Sequence, residues 1–164
     1  MENLNPTPEN TFQYILMNHS PSALAWIKGG TVYPQISGLV KFYSTPYQGV
    51  LISAEIFHLP NLPISDSSDF YAMHIHEFGD CSDSFNNTGG HYSFNHQTHP
   101  HHLGDMLPLL SNQGYAWLSF YDKRFSIDEI IGKSVVIHQS ADDFTSQPSG
   151  NSGSKIACGV IKTF

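Results

Sequence analysis

The chain has 164 residues and a formal charge of −7, from seven Lys and Arg against 14 Asp and Glu. Hydrophobic residues make up 40% and charged residues only 13%, which supports one packed domain and argues against disorder. The cations are scattered, so no nucleic acid partner is expected; no apolar run reaches the ~20 residues of a spanning helix, so no membrane partner is expected either.

In chain order, residues 1–10 hold two prolines and read as a loose arm. "TFQYILM" (11–17) reads as an edge strand or one helical turn. Residues 1–20 are therefore taken as an arm and 21–164 as the domain. The first twenty residues lack the basic and long apolar segments of a secretion signal, which sets the expectation of a cytoplasmic protein.

Strand signals follow at short spacing. "ALAWIKGG" (23–30) ends in a Gly-Gly turn. "ISGLVKFYST" (36–45) alternates, with Gly38 a candidate bulge. "GVLISAEIFHL" (49–59) sets Val50, Ile52, Ala54 and Ile56 on one face. "DFYAMHIHEF" (69–78), "GYAWLSFYD" (114–122), "GKSVVIHQS" (132–140) and "KIACGVIKTF" (155–164) complete the set. "FSIDEIIG" (125–132) reads as a short helix or turn. The expected fold class is all-β, a Greek-key β-barrel or sandwich of about eight antiparallel strands. It carries two long strandless loops, 79–113 and 140–154, of the kind that usually hold function. Trp26 and Trp117, with the many Phe and Tyr, read as core and sheet-face packing. His19 and His58 read as ordinary surface or turn residues.

Seven of the ten histidines fall within residues 73–105. His74 and His76, two apart on a strand, face one side together; they are either a metal-binding pair or two solvated surface histidines. His91 follows Gly89-Gly90, which allows a tight approach to a centre. His99, His102 and Asp105 sit in "HPHHLGD". With His91 they make a closed nitrogen and oxygen set suited to Zn²⁺, unless the tract is a solvated His-rich loop. His138 lies in "VVIHQSADD", as a ligand or as a hydrogen-bonded core residue. Asp142, four residues on, is placed to orient a ligand histidine. Cys81 and Cys158 are either two free buried thiols or one bridge tying the histidine loop to the last strand.

"HIHEFGDCSD", "GGHY", "HLGD", "VVIHQSADD" and "GNSGSKIACGVI" together, in this order, resemble the signature segments of the Cu/Zn superoxide dismutases. The resemblance spans roughly residues 23–164. It implies copper held by His74, His76, His91 and His138, and zinc held by His91, His99, His102 and Asp105. His91 would then be an imidazolate shared by both metals and would carry a proton in catalysis. The resemblance also implies Asp142 as the carboxylate joining a copper-ligand histidine to a zinc-ligand one, and a Cys81–Cys158 disulfide. The implied cofactors are copper and zinc, and the implied substrate is the superoxide anion. A homodimer is left open. Copper suits a reversible one-electron couple, which zinc cannot supply.

Two features depart from the family pattern. Only Pro100 and His101 separate His99 from His102, so His96 or His101 competes with His99 as the zinc ligand. Where the family places an anion-guiding arginine, this chain has Lys155, which keeps the charge but loses the planar fork. Lys155→Arg is expected to raise kcat/KM at low ionic strength. The competing readings are a dismutase-like domain that binds metal without turnover, and a β domain whose histidines have no joint role.

Overall fold

The computed structural model describes residues 7–61, 69–95 and 97–164. Residues 1–6 of the expected arm, and His96, lie outside them. Seven strands form one curled antiparallel sheet: β1 (Ala23–Gly29), β2 (Ser37–Ser44), β3 (Val50–Phe57), β5 (Met73–His76), β7 (Ala116–Asp122), β8 (Ser134–His138) and β9 (Lys155–Thr163). Their order is β5-β8-β9-β1-β2-β3-β7, so the first and last strands of the barrel are neighbours. The chain leaps from β3 to β5 at the far end of the sheet, back to β7, and again to β8. Such non-sequential crossings are the Greek-key pattern, and the all-β expectation holds.

The expected strand over 69–78 is two strands. β4 (Phe70–Tyr71) pairs with β6 (Leu109–Leu110) in a separate two-stranded sheet. The break falls at Ala72, whose N–H donates to Ser140 O and whose carbonyl accepts from His138 N, both at 2.9 Å. Segment 79–113 also carries a 3₁₀ turn, Asp83–Thr88, so it is not wholly irregular.

Alternation decides what is inside. Val50, Ile52, Ala54 and Ile56 are each 0% exposed and pack in one core with Ile27, Val40, Phe42, Met73, Ile75, Val135, Ile137 and Ile161. Gly38 is not a bulge. It stays in register between Ile27 and Ile56, and a Cβ there would lie 2.3 Å from Glu55 O. The register shift falls instead in the β8–β9 ladder, where Ile137 pairs with Ala157 and His138 with Lys155, leaving Ile156 of β9 as the extra residue.

The edge strand or single turn expected at 11–17 is a three-turn helix, α1 (Pro8–Asn18), capped by Thr7 Oγ1 accepting from Asn10 N. Phe12, Ile15 and Leu16 share one helical face and pack on Tyr43 and Leu51, while Phe12 stacks on Tyr121 at 4.9 Å. Burial of that face, not strand pairing, fixes the segment. α2 (Ile127–Ile130) confirms a short helix at 125–132, closed by a Ser126–Glu129 capping box. Trp26 and Trp117 are not core residues. They stand on the outward face of the sheet, 64% and 61% exposed. His19 and His58 are exposed, as expected.

Candidate metal centre

β5 is the origin of the site. Met73 and Ile75 point into the barrel core; by strand periodicity His74 and His76 must point the other way, yet both are buried, at 0% and 2% exposed. The long loop covers them. Its backbone docks along β5 through isolated bridges, His76 to His91 and His74 to Asp105. Two hydrogen bonds fasten it to the strand, Ile75 N to Gly104 O and Tyr92 N to Ile75 O, and a third, Gly104 N to Tyr92 O, closes the loop on itself. Gly104 is required here, since a Cβ would meet Ile75 O at 2.2 Å. His138 arrives from the end of β8, which pairs with β5 and meets β9 there at a register shift.

These contacts create two adjoining clusters. His74, His76, His91 and His138 form the first; His91, His99, His102 and Asp105 form the second. Within each, one ligand atom per residue lies within 4.8 Å of the others. His91 belongs to both. Its Nδ1 is 2.7 Å from Asp105 Oδ1, while its Nε2 is buried without a partner. His99 is the member drawn from the crowded tract, and it is 3% exposed. His101 is exposed and belongs to neither cluster.

The first cluster has a distinctive polarity. His76 Nδ1 donates to Gly89 O at 3.0 Å and His138 Nδ1 donates to Gly153 O at 3.2 Å. In a neutral imidazole the other nitrogen then carries a lone pair. The two Nε2 atoms face each other at 3.2 Å. Two lone pairs at that distance repel unless a cation lies between them. A proton fills the role poorly: burial pushes His138 down to about 3, His74 down to about 4, and His76 well below the usual histidine range. His74 Nδ1 is likewise buried and unpartnered. The donor set therefore fits a metal ion.

The second cluster gathers on Asp105. His102 Nδ1 lies 3.2 Å from Oδ2. His99 Nδ1 is also 3.2 Å from Oδ2 but is not aligned to donate. Burial works to raise the Asp105 carboxyl, but the His91 hydrogen bond and the nearby imidazoles hold it down at about 2. Three nitrogens and a carboxylate make a closed set of the kind tetrahedral zinc takes.

Asp142 joins the clusters from behind. It accepts from His74 Nε2 and His99 Nε2, each at 2.8 Å. Cys81 and Cys158 form a disulfide that ties the head of the loop to β9. Lys155 starts β9 opposite His138.

Two supporting residues escaped the sequence reading. Arg124 grips Asp122 through Nε and Nη2 and also donates to the carbonyls of His102 and Asp105. That it is the chain's only arginine was the available signal. Gln147 clamps the backbone of His99, accepting from its N–H at 3.1 Å and donating to its carbonyl at 2.7 Å. Nothing in the sequence marks it.

A Greek-key barrel that buries two histidine clusters sharing one imidazole is a scaffold for a paired metal centre. The family model for copper/zinc superoxide dismutase (SODC) matches residues 36–161, and the chain belongs to that family. It is 33% identical over 139 residues to the extracellular superoxide dismutase [Cu-Zn] of Rattus norvegicus, covering 79% of this chain and 56% of the rat protein. It is 34% identical over 138 residues to the superoxide dismutase [Cu-Zn] of Legionella pneumophila, covering 79% and 80%. Among solved structures, a double mutant of a SOD-like protein from Bacillus subtilis superposes with a TM-score of 0.71 at 25% identity, over 84% of this chain and 95% of that one. The chain thus spans about half the length of the extracellular relatives it matches.

The cytoplasmic expectation is overturned. The rat protein and its mouse, rabbit and human counterparts are all described as extracellular. The physical reason is plain: residues 8–18 form a surface helix of the folded protein, so their lack of a signal pattern carries no information on compartment. Among the described residues no helix is long and apolar enough to cross a membrane.

Proposed function

We propose that this chain is a Cu/Zn superoxide dismutase, an oxidoreductase that converts two superoxide anions and two protons into O₂ and H₂O₂. The working unit is residues 21–164, with 1–20 as an arm. Copper would be held by His74 Nδ1 and by the Nε2 atoms of His76, His91 and His138. Zinc would be held by the Nδ1 atoms of His91, His99 and His102, with Asp105. When bound, copper supplies a reversible one-electron couple and an open position, and zinc supplies a fixed positive charge. The observation that carries the reading is the pair of facing Nε2 atoms of His76 and His138 at 3.2 Å, beside a third buried nitrogen on the shared His91.

The chain's own residues do the rest. Gly89 O and Gly153 O fix the tautomers of His76 and His138. Nδ1 of His91 is turned to the Asp105 side, which leaves Nε2 as the atom that would take up a proton in one half-cycle and give it to the peroxide in the other. Burial of His74, His76 and His138 keeps those rings neutral and ready to bind metal. The disulfide, with the extracellular relatives, supports work in an oxidising compartment.

The test is to load the full chain with copper and zinc, measure both metals, and follow superoxide decay. One copper, one zinc and fast decay are expected. One zinc, no copper and no decay would instead establish a dismutase-like metal-binding domain, a reading that the SOD-like neighbour keeps in view.

A further inference from the structure

Lys155 stands where the family resemblance implies an anion-guiding arginine. Its surroundings are different. The ammonium donates to Thr88 Oγ1 at 2.8 Å, Gly89 O at 3.0 Å and Phe85 O at 3.2 Å. An ammonium carries three N–H donors and no more. All three are taken by a single stretch of chain, Phe85–Gly89, which overlaps the 3₁₀ turn behind the disulfide.

That stretch leads directly to a cluster histidine. Gly89 O, held by Lys155, also accepts from His76 Nδ1 at 3.0 Å. Thr88 is 0% exposed; its hydroxyl donates to Phe85 O at 2.8 Å and lies 3.4 Å from the same Nδ1. The path from the ammonium to the imidazole is therefore one carbonyl long. Glycine is needed at its centre: Gly89 has φ +74°, and a Cβ would lie 2.8 Å from both the Glu77 carboxylate and the Phe78 ring.

We propose that Lys155 is a positioning residue that locks His76 through Gly89 O and Thr88, and that it offers no N–H to an incoming anion. An arginine in its place has five donors. After serving three acceptors it keeps two for a small anion, so lysine here trades guidance for rigidity. The charge of Lys155 still acts through space, but without a directed hydrogen bond.

The proposal rests on the dismutase reading only where anion binding is concerned, and the test separates the two. Full-length wild type, Lys155→Arg and Lys155→Met are compared in two measurements. The first is hydrogen exchange of the His76 Nδ1 proton by NMR. It is run on the metal-free chain and on the chain loaded with zinc and diamagnetic reduced copper. Protection should be kept in Lys155→Arg, and exchange should speed by about tenfold or more in Lys155→Met, the loss of one charge-assisted hydrogen bond. The second is azide binding to the copper- and zinc-loaded chain at a constant ionic strength of about 0.2 M, where distant charges are screened. Lys155→Met should bind azide within about twofold of wild type, and Lys155→Arg about tenfold tighter, the gain from one charged hydrogen bond. If Lys155→Met does not fold, Thr88→Val takes its place: it releases one ammonium donor and should tighten azide binding. A tenfold loss of azide affinity in Lys155→Met with unchanged His76 exchange would overturn the proposal, as would an unchanged affinity in Thr88→Val. A chain that takes up no copper would sink the dismutase reading instead, and the metal-free exchange would still decide the positioning role.

Discussion

Asp142 reaches both clusters with one carboxylate: Oδ2 on His74 and Oδ1 on His99, with Phe144 N also donating to Oδ1 at 2.7 Å. The chain leaves room for it with Gly150, at φ +66°, where a Cβ would lie 2.0 Å from Oδ1. Orienting carboxylates of this kind typically carry about 10–100-fold in metal affinity. Asp142→Ala should therefore weaken binding in both clusters by that order, read by separate chelator competitions for copper and zinc; a loss confined to one metal would break the proposed link. The buried histidines set a second expectation. Burial lowers His74 to about 4 and His138 to about 3, whereas an unfolded histidine sits near ~6.5. Between those values the unfolded chain binds protons that the folded chain refuses, so the contribution is complete above about pH 6.5 and drains away as pH falls toward 3. The melting temperature of the metal-free chain should fall steadily from about pH 7 to pH 4 in calorimetry. A flat profile would mean that these rings titrate normally in the fold. At this scale His74 with His76, and His91, His99, His102 and Asp105, were legible because strand alternation and close loop spacing force residue types together, whereas His138 was tied to them only by the family resemblance. The choice of His99 over His101 was not legible, because it depends on Gln147 holding a backbone and Asp142 holding a ring, both more than 40 positions away in sequence.

Among the elements, β3 was legible from its alternation, and β5 from "HIH". Both are decided by which side chains must be buried. β4 and β6 were not. Two-residue strands have no periodicity of their own and exist because the chain around Ala72 and Leu109 is already placed. The helix at 8–18 was missed for a related reason: a seven-residue apolar window cannot distinguish a strand from a helix until the surface it covers is known. The disulfide belongs to this scale, because it joins a loop to a strand across 77 positions. By the chain-entropy relation, closing a loop of that length stabilises by about 4–5 kcal/mol. For a chain of this size each kcal/mol moves the midpoint by about 2–4 °C. Cys158→Ser should thus lower the melting temperature by on the order of 10 °C. Because the bridge lies just before Asp83–Thr88, the same variant should also speed His76 Nδ1 exchange. A melting temperature within about 3 °C of wild type, less than one disulfide's contribution, would mean that β9 and the loop are held together by packing alone.

The whole molecule carries seven excess negative charges around a centre proposed to receive an anion. A folded chain of this length has a radius of gyration of about 15 Å. At about 0.01 M salt the screening length is about 30 Å, so every surface charge is felt at the centre; at about 0.1 M it is about 10 Å, and only local charges remain. The bound metals attract the anion only at short range, where salt screens little, and the one protein cation built into the neighbourhood of His76 spends its donors on Phe85–Gly89. Adding salt therefore removes more repulsion than attraction. For the metal-loaded chain, kcat/KM for superoxide is expected to rise, by up to a few-fold, as ionic strength goes from about 0.01 to about 0.1 M. Stopped-flow decay at fixed pH with an inert salt reads it directly. A steep fall over that range would mean that positive potential at the mouth dominates the net charge, as in a strongly steered enzyme. In Lys155→Arg, with two donors free for the anion, the rate at low salt should be higher and the rise with salt smaller, because the same overall repulsion then opposes a real local attraction.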